Sequence, residues 1–434
     1  MNVLLRSVTI IDKNSPFHRQ KADLLIRDGI IRQLTQPGNI ADFEDETRVL
    51  EAEGLFVSIG WMDMQAHFTD PGEEHKENLH SGALAAAHGG FTEVALLPNT
   101  QPVVQTKNAV HYLLQPLSMP VKLHPIAAVT RDTQGEEMTE MIDLHHAGAV
   151  AFSDGLKPLW HTQVMLKALQ YVQKIDKLLI NRPEELHLTR YGDMHEGLQS
   201  TMLGLKGMPV LAETIAIERD LKLLEYVSEM SVGAPPRLHF SNVSAEASVQ
   251  LIRQAKQRGL AVSCDVAAHQ LYFTDEALAD FDTNFRLNPP LRTEADRLAL
   301  LVGIEDGTID VVVSSHQPQD EENKKCEFDL SAFGAIGLQT VFPVLNSLFT
   351  KDLPLDFLLE KITTVPRSLL RLPLPKIEEG AIANLTLFDS EERWVFNGST
   401  NQSLSVNSPF WNKELKGRVK GTFYRDQYWT DLNS

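Results

Sequence analysis

The 434-residue chain contains only two cysteines, Cys264 and Cys326. Two cysteines build no disulfide framework, which points to a reducing, cytoplasmic setting. Long apolar runs are also missing, and nothing approaches the roughly 18 residues that a membrane-spanning helix requires. The opening Met1-Asn-Val-Leu-Leu-Arg6 lacks the extended apolar region of a signal peptide. Positive charge is scarce: 40 Lys and Arg stand against 58 Asp and Glu, for a formal net charge of −18. That balance favours solubility and opposes binding to nucleic acid or to an anionic membrane. Internal repeats and low-complexity segments are absent too.

What is present is ample apolar material, 43% of residues, in a chain longer than one ordinary domain. Both ends read as short strands. Residues 3–11 and 22–32 alternate apolar and polar positions, with Asp28-Gly29 as a turn. Residues 380–389 and 417–424 have the same texture. The middle instead alternates strand and helix. Buried strands are expected at 55–62, 92–97, 121–129, 149–152, 177–180, 236–240, 260–264 and 309–313. Helical patterns lie between them; in 245–256, for example, Val249, Ile252 and Ala255 share one face. Eight β/α units imply a (β/α)8 TIM-like barrel over 56–379. The remainder, 1–55 plus 380–434, implies a composite β-sandwich domain. The polar run 317–326 reads as a solvated loop, or as a lid because it follows the last barrel strand.

Polar residues at the C-terminal end of a barrel strand are where such folds build active sites. At the first strand the sequence reads Asp63-Met-Gln65-Ala-His67-Phe-Thr69-Asp-Pro-Gly72. This resembles the Asp-x-His-x-His-x-Arg-x-Pro-Gly signature of dihydroorotases in the amidohydrolase superfamily. Further stretches that resemble the family are Pro71-Gly-Glu-Glu-His-Lys-Glu-Asn78, Leu97-Pro-Asn-Thr-Gln-Pro102, Asn288-Pro-Pro-Leu-Arg292, Ser331-Ala-Phe-Gly-Ala-Ile-Gly-Leu-Gln339 and Ser408-Pro-Phe410. So many motifs in order are far more specific than one short match.

The resemblance implies hydrolysis of a cyclic amide by one or two divalent ions held by His and carboxylate ligands. The metal would activate water and polarise the amide, while a carboxylate shuttles the proton. It also implies where those groups should be, and most are replaced. Gln65 stands at the first metal-binding His, whereas His67 is retained. Asp154, in Phe152-Ser-Asp-Gly155, is retained. Asn181 and Asn242 stand at the next two ligand positions. Ser315 stands at the catalytic Asp, and Gln319 and Thr69 replace a substrate-binding His and Arg. Asn99, Asn288 and Arg292 remain available for a substrate carboxylate, although Arg292 equally suits a surface ion pair.

Carboxamides and hydroxyls are poor zinc ligands, and a serine is no base near neutral pH. The expectation is therefore a chain without cofactor, with zinc only if the site works after all. Gln65, Asn181, Asn242 and Ser315 would then form a hydrogen-bonded polar plug in the barrel mouth. A rival reading has His67, Asp154, His316, His239 and His269 rebuilding a different metal site. Three functions follow: a non-catalytic structural partner of aspartate carbamoyltransferase, an active or residual dihydroorotase or related cyclic amide hydrolase, and a sensor of a pyrimidine intermediate. Family habit implies a homo-oligomer.

Overall fold

The computed structural model describes residues 2–40, 46–116, 118–230, 233–348 and 353–432. Eight parallel strands follow one another in chain order around a barrel. They are β1 (Trp61–Ala66), β2 (Phe91–Leu96), β3 (Lys122–Ala127), β4 (Ala151–Phe152), β5 (Leu178–Asn181), β6 (Arg237–Phe240), β7 (Val262–Ala267) and β8 (Val311–Val313). Every residue of β1, β2 and β7 is buried. This is the signature of a parallel sheet covered on both faces. Met62, Met64, Ala95, Ile126, Ile180 and Val313 fill the interior. Helices cover the outside; Glu246–Gln257 turns Val249, Ile252 and Ala255 inward as their spacing requires.

The barrel closes between β8 and β1. Ala66 and His316 form a parallel bridge, and the His67 amide donates to the His316 carbonyl at 2.8 Å. Just below, the Ser314 amide and hydroxyl both donate to the buried Asp63 carboxylate.

The chain ends build a second unit, hydrogen-bonded as one eight-stranded sheet. Its core joins Val3, Leu5 and Ile10 to Leu385, Leu387 and Phe423. Asp28 and Gly29, with φ of 51° and 70°, make the tight turn between Lys21–Arg27 and Ile30–Thr35. The sequence suggests one continuous strand from Leu55 into the barrel, but two strands form there. Phe56–Ile59 belongs to the terminal sheet, where Val57 pairs with Ile10 and Leu387. The chain then crosses at Gly60 into β1. Gly60 is needed because a Cβ there would lie 2.1 Å from Asn384 Oδ1 and 2.2 Å from Thr92 Oγ1. The run 317–326 is partly helical over Glu321–Lys324, and Asp320 reaches His75 of the loop after β1 at 3.3 Å. Among the described residues no helix is long and apolar enough to cross a membrane.

A buried polar cluster joins the two units. Glu93 Oε1 accepts from Arg367 Nε and Nη2 at 3.0 and 2.9 Å and from Asn384 Nδ2 at 2.9 Å. Its other oxygen meets His124 Nε2 at 2.7 Å. Burial pushes the Glu93 carboxyl upward, but Arg367 and His124 outweigh it and hold the group at about 2. A carboxylate depressed in this way stabilises the fold above its ordinary 4.5, and the contribution fades as pH falls towards 2. Arg367→Ala would strand that charge in the interior. Urea unfolding at pH 7 should show a loss of about 3–5 kcal/mol. A loss within the scatter of surface substitutions would contradict this account of the junction.

Candidate functional site at the barrel mouth

The strand ends bring the polar residues of the sequence motifs to one end of the barrel, but most bond to different partners. His67 is buried, and its Nε2 lies 3.1 Å from the Asn99 carbonyl while its Nδ1 has no hydrogen-bond partner. Burial pulls its pKa down to about 4, so the ring is neutral at physiological pH. Asp154 is bound to the backbone after β3. It accepts from the Val129 and Thr130 amides at 3.0 and 2.9 Å and from the Thr130 hydroxyl. Burial raises its pKa to about 6 against those donors.

The replaced positions do not form the single plug expected of them. Asn242 Nδ2 donates to Ser315 Oγ at 3.0 Å, which joins β6 to β8 across the mouth. Asn181 looks elsewhere: it accepts from the Leu159 amide at 2.8 Å and donates to Asp220 at 2.6 Å. The side-chain oxygens of Gln65 and Asn242 have no hydrogen-bond partner, although both residues are buried. Asn242 and Ser315 adopt left-handed backbone, with φ of 54° and 48°. The Asp265 carboxylate holds the Asn242 amide at 2.6 Å in that conformation.

The residues expected to hold a substrate are likewise engaged. Asn99 braces the loop after β4, donating to the Asp154 carbonyl at 3.0 Å and accepting from the Leu156 amide at 2.8 Å. Thr69 stitches its own loop to the Glu73 and Glu77 carbonyls. Gln319 donates to the Phe333 carbonyl at 3.0 Å. Asn288 lies 3.3 Å from Glu184. Arg292 makes no surface ion pair. It is buried, bonded to Ser244 Oγ and the Met208 carbonyl, and 3.5 Å from Glu213.

The rival set of histidines and Asp154 does not converge either. His239 spends both ring nitrogens on Ser263 and Asp265, and His316 sits between Glu77 and the Gly337 amide. Among the described residues no group of three or more His, Cys, Asp or Glu is placed to hold a metal ion. The donor set therefore does not fit a zinc centre, which needs about three or four nitrogen, sulfur or carboxylate ligands around one point.

Sequence reasoning missed Arg182. It directly follows Asn181, is buried, and donates to the Leu156 carbonyl at 3.1 Å, with Glu184 3.5 Å away. A cation following a polar residue at the end of an apolar strand was the available signal. Arg182, Glu184, Asn242, Asn288 and Arg292 line one small cavity of about 20 Å³. That is room for about one water molecule.

A family model described as dihydro-orotase-like matches residues 54–229. The dihydroorotase of Acetivibrio thermocellus is 39% identical over 401 residues, 92% of either chain. That of Geobacter sp. (strain M21) is 37% identical over 430 residues, 98% of this chain and 99% of its own. The chain belongs to the dihydroorotase family. Among solved structures, the L-hydantoinase (dihydropyrimidinase) of Arthrobacter aurescens superposes with a TM-score of 0.82 at 22% identity. The match covers 100% of this chain and 97% of that one, and it speaks for the fold. Within this dihydroorotase-family barrel, then, the mouth keeps the family's frame and holds carboxamides and hydroxyls where the resemblance implies ligands.

His67 gives a test of how closed the mouth is. A buried His with a lowered pKa binds fewer protons than the unfolded chain between its ordinary 6.5 and about 4. Folding stability should therefore fall with pH across that window. In His67→Gln the loss between pH 7 and pH 5 should shrink by about 2 kcal/mol, measured by chemical unfolding. An unchanged pH dependence would mean that solvent already reaches the ring.

Proposed function

We propose that this member of the dihydroorotase family has lost metal-dependent dihydroorotase activity and serves as a structural partner of aspartate carbamoyltransferase. The observation that carries the first half is the state of Asp154. It is the only carboxylate retained from the ligand set that the resemblance implies, and backbone amides and a hydroxyl consume it. Gln65, Asn181, Asn242 and Ser315 at the other positions supply neither the carboxylate base nor the ligand cluster that metal-dependent amide hydrolysis needs. Losing a single supporting partner typically costs about 10–100-fold in metal affinity or activity, so losing most ligands removes the centre.

The second half rests on the resemblance and on the surface. An intact frame around a dismantled centre suits a protein retained for assembly. Over 186–230 the side chains of Tyr191, Leu198, Leu211, Met202 and Met230 stand largely exposed. Exposed apolar side chains are the material of protein contacts. A cytoplasmic, oligomeric protein free of cofactor belongs to the same proposal. One observation favours an enzyme instead: the similar proteins from A. thermocellus and Geobacter carry the name dihydroorotase.

Elemental analysis and a dihydroorotate assay on one preparation separate the readings. The proposal expects zinc far below one atom per chain and no turnover above background. Stoichiometric zinc with ordinary turnover would establish the enzyme. Co-expression with the aspartate carbamoyltransferase of the same organism should give one complex on gel filtration. Separate elution, with the transferase equally stable and active alone, would refute the partner role.

A further inference from the structure

The opposite end of the barrel holds a cleft that the mouth's chemistry does not explain. It lies between the start of β3 and the terminal sheet and encloses about 330 Å³, within the range of small-molecule sites. Its inner lining is the junction cluster: Glu93, His124 and Asn384, all buried, with His124 and Asn384 each bonded to Glu93. Leu374 and Ile382, each about half exposed, add an apolar wall.

The lining is cationic in a chain whose net charge is −18. Lys122, Lys376 and Arg425 all face it. Lys376 is 3.2 Å from Glu378, whereas among the described residues neither Lys122 nor Arg425 forms an ion pair with a carboxylate. The one acidic residue in the lining, Glu93, is already neutralised by Arg367. Arg425 is also held in place. Its amide donates to the Ala383 carbonyl at 2.7 Å, and its backbone packs so tightly on Gly29 that a Cβ there would lie 2.6 Å away. Tyr424 stands beside it, with the guanidinium 5.7 Å from the ring centroid. Lys122, Tyr424 and Arg425 also line a neighbouring cleft of about 500 Å³.

We propose that this cleft binds an organic phosphate of nucleoside-monophosphate size. The phosphate would sit between the fork of Arg425 and the point charge of Lys122, a pairing suited to phosphate oxygens. The flat body would lie against Leu374 and Ile382. The site lies at the N-terminal ends of β2 and β3, so it does not depend on whether the mouth is catalytic.

Calorimetric titration of the full-length protein with UMP, AMP, uridine and inorganic phosphate tests this. At least one nucleotide should bind saturably, and more tightly than uridine or phosphate alone. The double variant Lys122→Ala/Arg425→Ala should bind at least about tenfold more weakly. Both side chains lie on the surface, so its melting temperature should match the parent's. No binding by either nucleotide, or undiminished binding by the double variant, would overturn the proposal. So would inorganic phosphate binding as tightly as the nucleotides, which would mark an adventitious anion site.

Discussion

Everything at the mouth depends on how the last barrel strand meets the first. Asp63 receives both the amide and the hydroxyl of Ser314, and His67 takes its backbone bond from His316. This seam fixes where Gln65, His67, Ser315 and His316 stand. Burial drives the Asp63 pKa to about 7 against the pull of Ser314. A buried carboxyl of this kind persists where hydrogen bonds compensate its desolvation. The seam is structural in its own right, held by the bonds of Ser314 to Asp63 and of His67 to His316.

The same logic explains the disposition of the other polar groups. A divalent ion would gather its ligands towards one point. Here each polar side chain turns to the nearest backbone group or charge: Asp154 to the turn after β3, Asn181 to Asp220, Asn99 to the loop after β4. Buried polar groups without partners cost about 1–3 kcal/mol each, which drives this dispersal. Among the described residues of the site, the side-chain oxygens of Gln65, Asn242 and Gln319, the Nη2 of Arg182 and the Nδ1 of His67 remain without a hydrogen-bond partner. The far end of the barrel shows the opposite pattern, with a satisfied core of Glu93, Arg367 and His124 beneath Lys122 and Arg425, which among the described residues form no ion pair with a carboxylate.

Much of this was legible from residues alone. Apolar runs such as Val311–Val313 betray buried parallel strands, and the spacing of Val249, Ile252 and Ala255 fixes a helix face. The motif positions locate the mouth for the same reason: strand ends are set by local pattern. Two things were not legible. Gly60 breaks an apparently continuous strand because Asn384, far away in sequence, presses on it. The direction in which Asp154, Asn181, Arg182 and Arg292 point depends on partners such as Thr130, Asp220, Leu156 and Glu213, and no spacing rule relates those pairs. Residue type indicated what the site lacks, and only the fold showed where the remaining groups turn.

The proposed loss of the metal centre is open to direct observation. The most direct measurement is anomalous diffraction at the zinc edge, on crystals of the protein grown with excess zinc. The account predicts no peak between His67 and Asp154, with Asp154 still bonded to the turn after β3. A peak within about 2.0–2.3 Å of His67 and a carboxylate, the range of zinc–ligand bonds, would contradict it.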